Sequence, residues 1–147
     1  MDAGRGLRAL ELKRALSRNI VAGALGTFFG VCIWPQFLTT FVLLLGGNAF
    51  HVGLITTLPL LAFPAQIVSA LVVERLDRRK EFWFWTATIH RCLWFLIAGL
   101  AFWAGRGLEP WQITVFFVLL FLTHATGAMS VPPWFSWMAD LVPREEA

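Results

Sequence analysis

Three ionisable side chains, His90, Arg91 and His124, fall inside long apolar stretches of this 147-residue chain. An imidazole is the side chain whose charge changes near neutral pH, and an intramembrane cation has to find a polar partner, so these positions are where chemistry is sought first. Arg91 lies nine residues past Phe82, roughly 14 Å along a helix and near the centre of a bilayer. An arginine there costs at least ~2.5 kcal/mol unless carbonyls, a carboxylate or water receive it, which predicts that it faces protein rather than lipid. No acidic residue within the apolar stretches can pair with it. Its partner is either elsewhere or a set of opened carbonyls on a neighbouring helix. His124 precedes Thr126, Gly127 and Ser130. It either lines a polar cavity as a titrating group or stays neutral and donates one interhelical hydrogen bond.

Enzymatic constellations are missing: the chain has no H-E-x-x-H, no G-x-S-x-G, no phosphate loop and no paired aspartates within the apolar stretches, so an enzyme is not expected. Cys32 and Cys92 both lie inside apolar stretches and suggest neither a metal site nor a disulfide framework. No cofactor is indicated.

The densest charge is the wedge Glu74-Arg75-Leu76-Asp77-Arg78-Arg79-Lys80-Glu81, set in a chain that is 58% hydrophobic. Such a wedge cannot lie in lipid, so it separates two spans. Residues 19–45, 50–73, 82–104 and 111–131 each reach or exceed the roughly 20 residues that a helix needs to cross ~30 Å of hydrocarbon. An all-α membrane protein with four transmembrane helices is expected. The first stretch follows a basic region but is too long for a signal-peptide core and lacks a small-residue cleavage pattern, so it is read as an anchor.

Basic residues set the orientation, because Lys and Arg are retained on the cytoplasmic side. Arg5, Arg8, Lys13, Arg14 and Arg18 precede the first span, Arg75, Arg78, Arg79 and Lys80 occupy the wedge, and Arg144 follows the last span. Only Arg106 lies on the opposite side. Both termini are therefore expected in the cytoplasm, and the basic balance reflects topology rather than nucleic-acid binding. Trp83, Trp85, Trp103, Trp111, Trp134 and Trp137 fall at span ends, where an apolar ring with one N–H donor suits the membrane interface.

Within the spans, Gly23, Gly26 and Gly30 form a small-residue face on the first helix and predict close packing against a neighbour. Pro59 and Pro64 interrupt the second and read as structural kinks or as a gating hinge. Residues 7–18 alternate apolar and basic side chains, suiting a helix on the inner headgroup surface. The domain organisation expected is thus a basic cytoplasmic tail over residues 1–18 and a transmembrane bundle over 19–147.

Three segments, in this order, resemble the major facilitator superfamily of secondary transporters. Leu45-Gly46-Gly47-Asn48-Ala49-Phe50-His51-Val52-Gly53-Leu54 is similar to the short outer turn between that family's first two helices. Residues 70–79 overlay its loop signature, approximately G-x-L-a-D-R-x-G-R-R, with Glu74 at the acidic position, Arg75, Arg78 and Arg79 at basic ones, and Ala70 and Asp77 where glycines are usual. Residues 133–143 are similar to the loop after the fourth helix. The resemblance implies four helices of the first of two six-helix halves, hence a partial chain whose missing remainder would be its partner alongside the lipid bilayer. It implies transport of a small solute, of unstated identity, coupled to a proton or ion gradient in a bacterial inner membrane. It also implies that Glu74, Arg75, Asp77, Arg78, Arg79 and Asp140 form a conformational latch, with Glu74 and Arg78 in inter-helix ion pairs and Asp140 as partner of Arg75 or Arg78. A solvated wedge that only sets topology is the alternative. By position, Trp34, Gln36, Thr39, His124 and Thr126 would line the cavity. Two other readings are a non-transporting helix bundle that assembles with another subunit and a dimeric four-helix exporter. The latter is disfavoured because residues 19–45 lack the membrane-embedded glutamate such exporters carry.

Overall fold

A computed structural model describes residues 17, 20–33, 35–76, 78–105 and 109–141, with backbone alone at 140 and 141. Trp34, Asp77, the side chain of Asp140 and all but Ser17 of the expected surface helix lie outside the described residues.

The described residues are helical apart from short turns and include no strand. Helix α1 covers residues 20–32, α2 Pro35–Leu44, α3 Ala49–Ala62, α4 Pro64–Arg75, α5 Arg79–Ala104 and α6 Trp111–Leu141. Four runs are long and apolar enough to cross a membrane: Ile20–Leu44, Ala49–Arg75, Arg79–Ala104 and Trp111–Ala139. The chain is an all-α integral membrane protein, and the second span is made of two helices, α3 and α4.

Two compact units, Met1–Phe37 and Leu38–Ala147, divide the chain. In the first, Thr27 Oγ1 donates to Gly23 O at 3.0 Å within α1, so its hydroxyl is satisfied without another helix. A Cβ built on Gly23, Gly26 or Gly30 would meet no atom within 4 Å. Among the described residues of its own unit, nothing makes the close packing expected of this glycine face.

In the second unit α6 is the central element and packs against α3, α4 and α5. Ile55, Leu58 and Ala62 of α3, Val73 of α4, Trp94, Ile97 and Leu100 of α5, and Phe116 and Leu120 of α6 are buried. Apolar side chains such as Leu60, Ile67, Leu96 and Phe121 remain exposed, as suits a surface solvated by hydrocarbon.

The connection between α2 and α3 is built from two end structures. Gly46 N–H bonds to Leu43 O at 3.1 Å and Gly47 N–H to Val42 O at 2.9 Å, the paired bonds of a Schellman ending, which satisfies two orphan carbonyls. Its left-handed residue is Gly46, at φ +80°, and a Cβ on Gly47 would sit 2.5 Å from Val42 Cγ1. Asn48 then caps α3: its side chain accepts from the Phe50 and His51 amides, and His51 Nδ1 accepts from the Asn48 amide at 3.2 Å. Two glycines followed by asparagine thus reverse the chain in a few residues.

Proline bends the second span where its missing N–H falls. Pro64 leaves Leu60 O without the donor four residues on; Phe63 N–H bonds it instead at 3.2 Å, tightening one turn between α3 and α4. Thr56 and Thr57 Oγ1 both donate to Gly53 O at 2.9 Å, so these polar side chains are satisfied inside α3.

Two expectations are corrected. The charged wedge is not a loop over its length: Glu74 and Arg75 end α4, while Arg79, Lys80 and Glu81 begin α5. Residues 133–143, read as a loop, instead continue α6 as far as Leu141, through Pro132 and Pro133. Pro133 deprives Met129 O of its helical donor, and Ser69 Oγ of α4 supplies one at 2.6 Å. That interhelical bond satisfies one of the two carbonyls that the consecutive prolines leave without a helical donor.

Candidate functional site

Two polar regions stand out, one between the α5 and α6 midsections and one where α4, α5 and α6 end on the wedge side. In the first, His90 Nδ1 lies 2.9 Å from Thr123 O. A backbone carbonyl can only accept, so Nδ1 carries the proton of this bond. Gly127, one turn on, lets the ring approach: a Cβ there would stand 3.0 Å from His90 Nδ1 and 3.1 Å from Cε1. Thr123 Oγ1 donates to Leu119 O at 2.8 Å, Thr126 Oγ1 to Leu122 O at 2.8 Å, and Ser130 Oγ to Gly127 O at 2.7 Å. Most of the hydroxyls of α6 are thus turned onto their own helix, and His90 makes the crossing bond.

His124 and Thr126 are half-buried on α6, and Gln36 and Thr39 lie on α2, Gln36 exposed and Thr39 half-buried. A cleft of about 440 Å³ opens elsewhere, between α3 and α6, lined by His51, Leu54, Ile113, Phe117 and Phe121 among others. Neither His124 nor Thr126 reaches it. His51 stacks on Phe117 there, ring centroids 5.5 Å apart. Arg91 extends outward from α5 and donates Nη1 to Ala87 O of its own helix at 3.1 Å. The interhelical carbonyl acceptors considered for it are not the ones it uses.

At the wedge end the described interhelical contacts run through Arg79, a member of the expected latch, and its neighbours Lys80 and Trp83, while Asp77 and the Asp140 side chain lie outside the described residues. Arg78 bonds Glu81 at 3.2 Å, three residues along, with side chains 78% and 62% exposed. Because α5 starts at Arg79, these two flank its first turn, and Arg78 meets Glu81 before it can reach Glu74 on another helix. Arg79 Nη1 donates to Ser136 Oγ at 2.8 Å. Trp83 stacks on Trp137 at 5.7 Å between centroids, and Lys80 Nζ stands 5.7 Å from the Trp137 ring centre. A cleft of about 620 Å³ lies against this group, lined by Glu74, Leu76, Arg78, Arg79, Lys80, Glu81 and Trp137. Glu74 and Arg75 are exposed at the end of α4.

Sequence reasoning missed Ser69, Gly127 and Ser136 as the partners that join helices. The consecutive prolines at 132 and 133 were the available signal for Ser69, since they announce a carbonyl in need of a donor. No protein-family model, curated protein or solved structure matches this chain.

Proposed function

We propose that this chain provides the first four helices of a secondary active transporter of a small solute, of the major facilitator type, in a bacterial inner membrane with both termini and the α4–α5 turn cytoplasmic. One observation carries the reading: the glycine turn at 45–54, the basic turn at 70–79 and the proline-tryptophan segment at 133–143 follow one another in that family's order. Their positions around four candidate spans agree with the asymmetry of basic residues. Gln36, Thr39, His124 and Thr126, with Trp34, are the proposed cavity lining. The basic turn is the proposed latch, acting through Arg79 and Ser136 as well as the charged pairs implied by the resemblance.

Alternating access needs two bundles rocking about a site between them. The polypeptide that carries these spans together with a second bundle is expected to give saturable, gradient-driven uptake when reconstituted and tested on a panel of small solutes. Arg78→Ala should reduce that uptake while leaving insertion intact. The 147 residues alone should insert and give none. Gradient-driven uptake by vesicles holding only these residues would overturn the proposal and favour a dimeric four-helix exporter.

A further inference from the structure

Arg91 is placed where lipid cannot neutralise it and where, among the described residues, no acid meets it. It stands twelve residues after the start of α5 and thirteen before its end, about 18 and 20 Å of helix, beyond the reach of one side chain to either headgroup layer. The residue is exposed, and among the described residues its guanidinium bonds only to Ala87 O. One of five N–H donors is thereby used. The buried side of α5, carrying Thr86, Ala87, Trp94, Ile97 and Leu100, is engaged in the bundle. Arg91 projects from the other side.

That other side has a pattern of its own. Phe84, Thr88, Arg91, Phe95 and Ala98 follow one another at spacings of four, three, four and three, the repeat with which a helix keeps one seam toward a partner helix. All are exposed save Thr88, which is half-buried, and Phe95 is 76% exposed. Each ring on this side is followed one turn on by a small side chain, Phe84 by Thr88 and Phe95 by Ala98, and Gly99 beside Ala98 meets no described atom within 4 Å where a Cβ would be. Knobs and holes at this spacing are how helices associate in lipid, where hydrophobicity gives no preference for protein over solvent.

We infer that this seam of α5 is an interface for a further transmembrane helix, and that the helix presents a carboxylate at mid-depth to Arg91. Charge complementarity selects the occupant. A carboxylate cancels the charge and takes two guanidinium N–H groups in parallel, whereas an amide or hydroxyl leaves the charge in hydrocarbon. The four candidate spans contain no acid except Glu74 and Glu81, both at span ends. Neither these helices nor a second copy of them can therefore provide it. The inference rests on α5 alone and is independent of the transport proposal.

A host helix of about 20 Leu and Ala residues, with Asp, Asn or Leu at its centre, is the probe, co-reconstituted with the whole chain in phosphatidylcholine vesicles. Energy transfer should report association about tenfold tighter for Asp than for Leu, with Asn between them. Arg91→Leu should abolish the preference; it removes a charge from the membrane, so insertion is not at risk. Arg91→Asp should reverse it toward a host helix with central Lys. With Cys32 and Cys92 replaced by Ser, Phe95→Cys should form a disulfide with a cysteine host helix, and Leu96→Cys, off the seam, should not. Equal binding of Asp and Asn helices, a preference that survives in Arg91→Leu, or a disulfide between two copies at position 95 without the host helix would each overturn the inference. So would labelling of Arg91→Cys by a water-soluble maleimide as fast as Leu76→Cys, which would put position 91 in water.

Discussion

Ser69 and Gly127 show how single side chains join helices in an apolar solvent. Ser69 is fully buried and its hydroxyl answers the carbonyl that Pro133 leaves without a donor. Ser69→Ala orphans Met129 O in a dry contact, which predicts a loss of about 1–3 kcal/mol. Thr126→Ala, which deletes a hydroxyl bonded within its own helix, should stay within about 0.5 kcal/mol. Detergent-denaturant unfolding followed by tryptophan fluorescence separates the two, and equal effects would refute a bridging role for Ser69. Gly127→Ala puts a methyl 3.0 Å from His90 Nδ1, so His90 must shift and its bond to Thr123 O weakens. A cost of about 1–3 kcal/mol is expected. In a His90→Ala background most of it should vanish, because the obstructing ring is gone; an undiminished cost would locate the strain in the backbone.

At the scale of elements, the ends and bends of the helices are set by local chemistry. The α2–α3 connection joins a Schellman ending to a capping box, with Gly46 at φ +80°. Gly46→Ala should cost about 1–2 kcal/mol for left-handed backbone strain, and Asn48→Ala about 1 kcal/mol for the lost cap. Circular dichroism melts in detergent would check both. At the opposite end, Arg79 reaches across to Ser136 while Arg78 stays within its own turn. Arg79→Ala should therefore loosen the end of α6 more than Arg78→Ala, whose exposed pair contributes only about 0.2–1 kcal/mol. Hydrogen exchange over residues 134–141 is the measurement. Equal protection in both variants would mean that the Trp83–Trp137 stack holds α6 without Arg79.

For the whole molecule, orientation is the property most open to direct test. Basic residues number ten on the side proposed as cytoplasmic and one on the other, not counting Arg91. In a background without Cys32 and Cys92, Ala49→Cys should react with an impermeant maleimide from outside intact cells. Leu76→Cys should react only after the membrane is opened. The reverse pattern would invert the proposed topology, along with the assignment of the basic turn to the cytoplasmic face.

Apolar length and the distribution of charge were enough to place four spans, because those properties are additive along the chain. Residues 19–45, 50–73, 82–104 and 111–131 differ from the helical runs by a residue or two at most ends. The sequence alone also marked the wedge as a boundary and Pro59 and Pro64 as a bend. The wedge-side end of the fourth span escaped it: Pro132 and Pro133 argue locally for a stop, and Ser69, more than sixty residues away, gives the Met129 carbonyl the donor that Pro133 lacks. The pairing of the wedge was likewise undecidable from charge order. Which base meets which partner depends on where α5 begins and on Ser136 and Trp137 of α6 lying within reach. Arg91 was legible as a misplaced charge, yet its direction was not. Helical phase relative to α6 turned Trp94 and Ile97 inward and thereby left Arg91 on the seam that faces away.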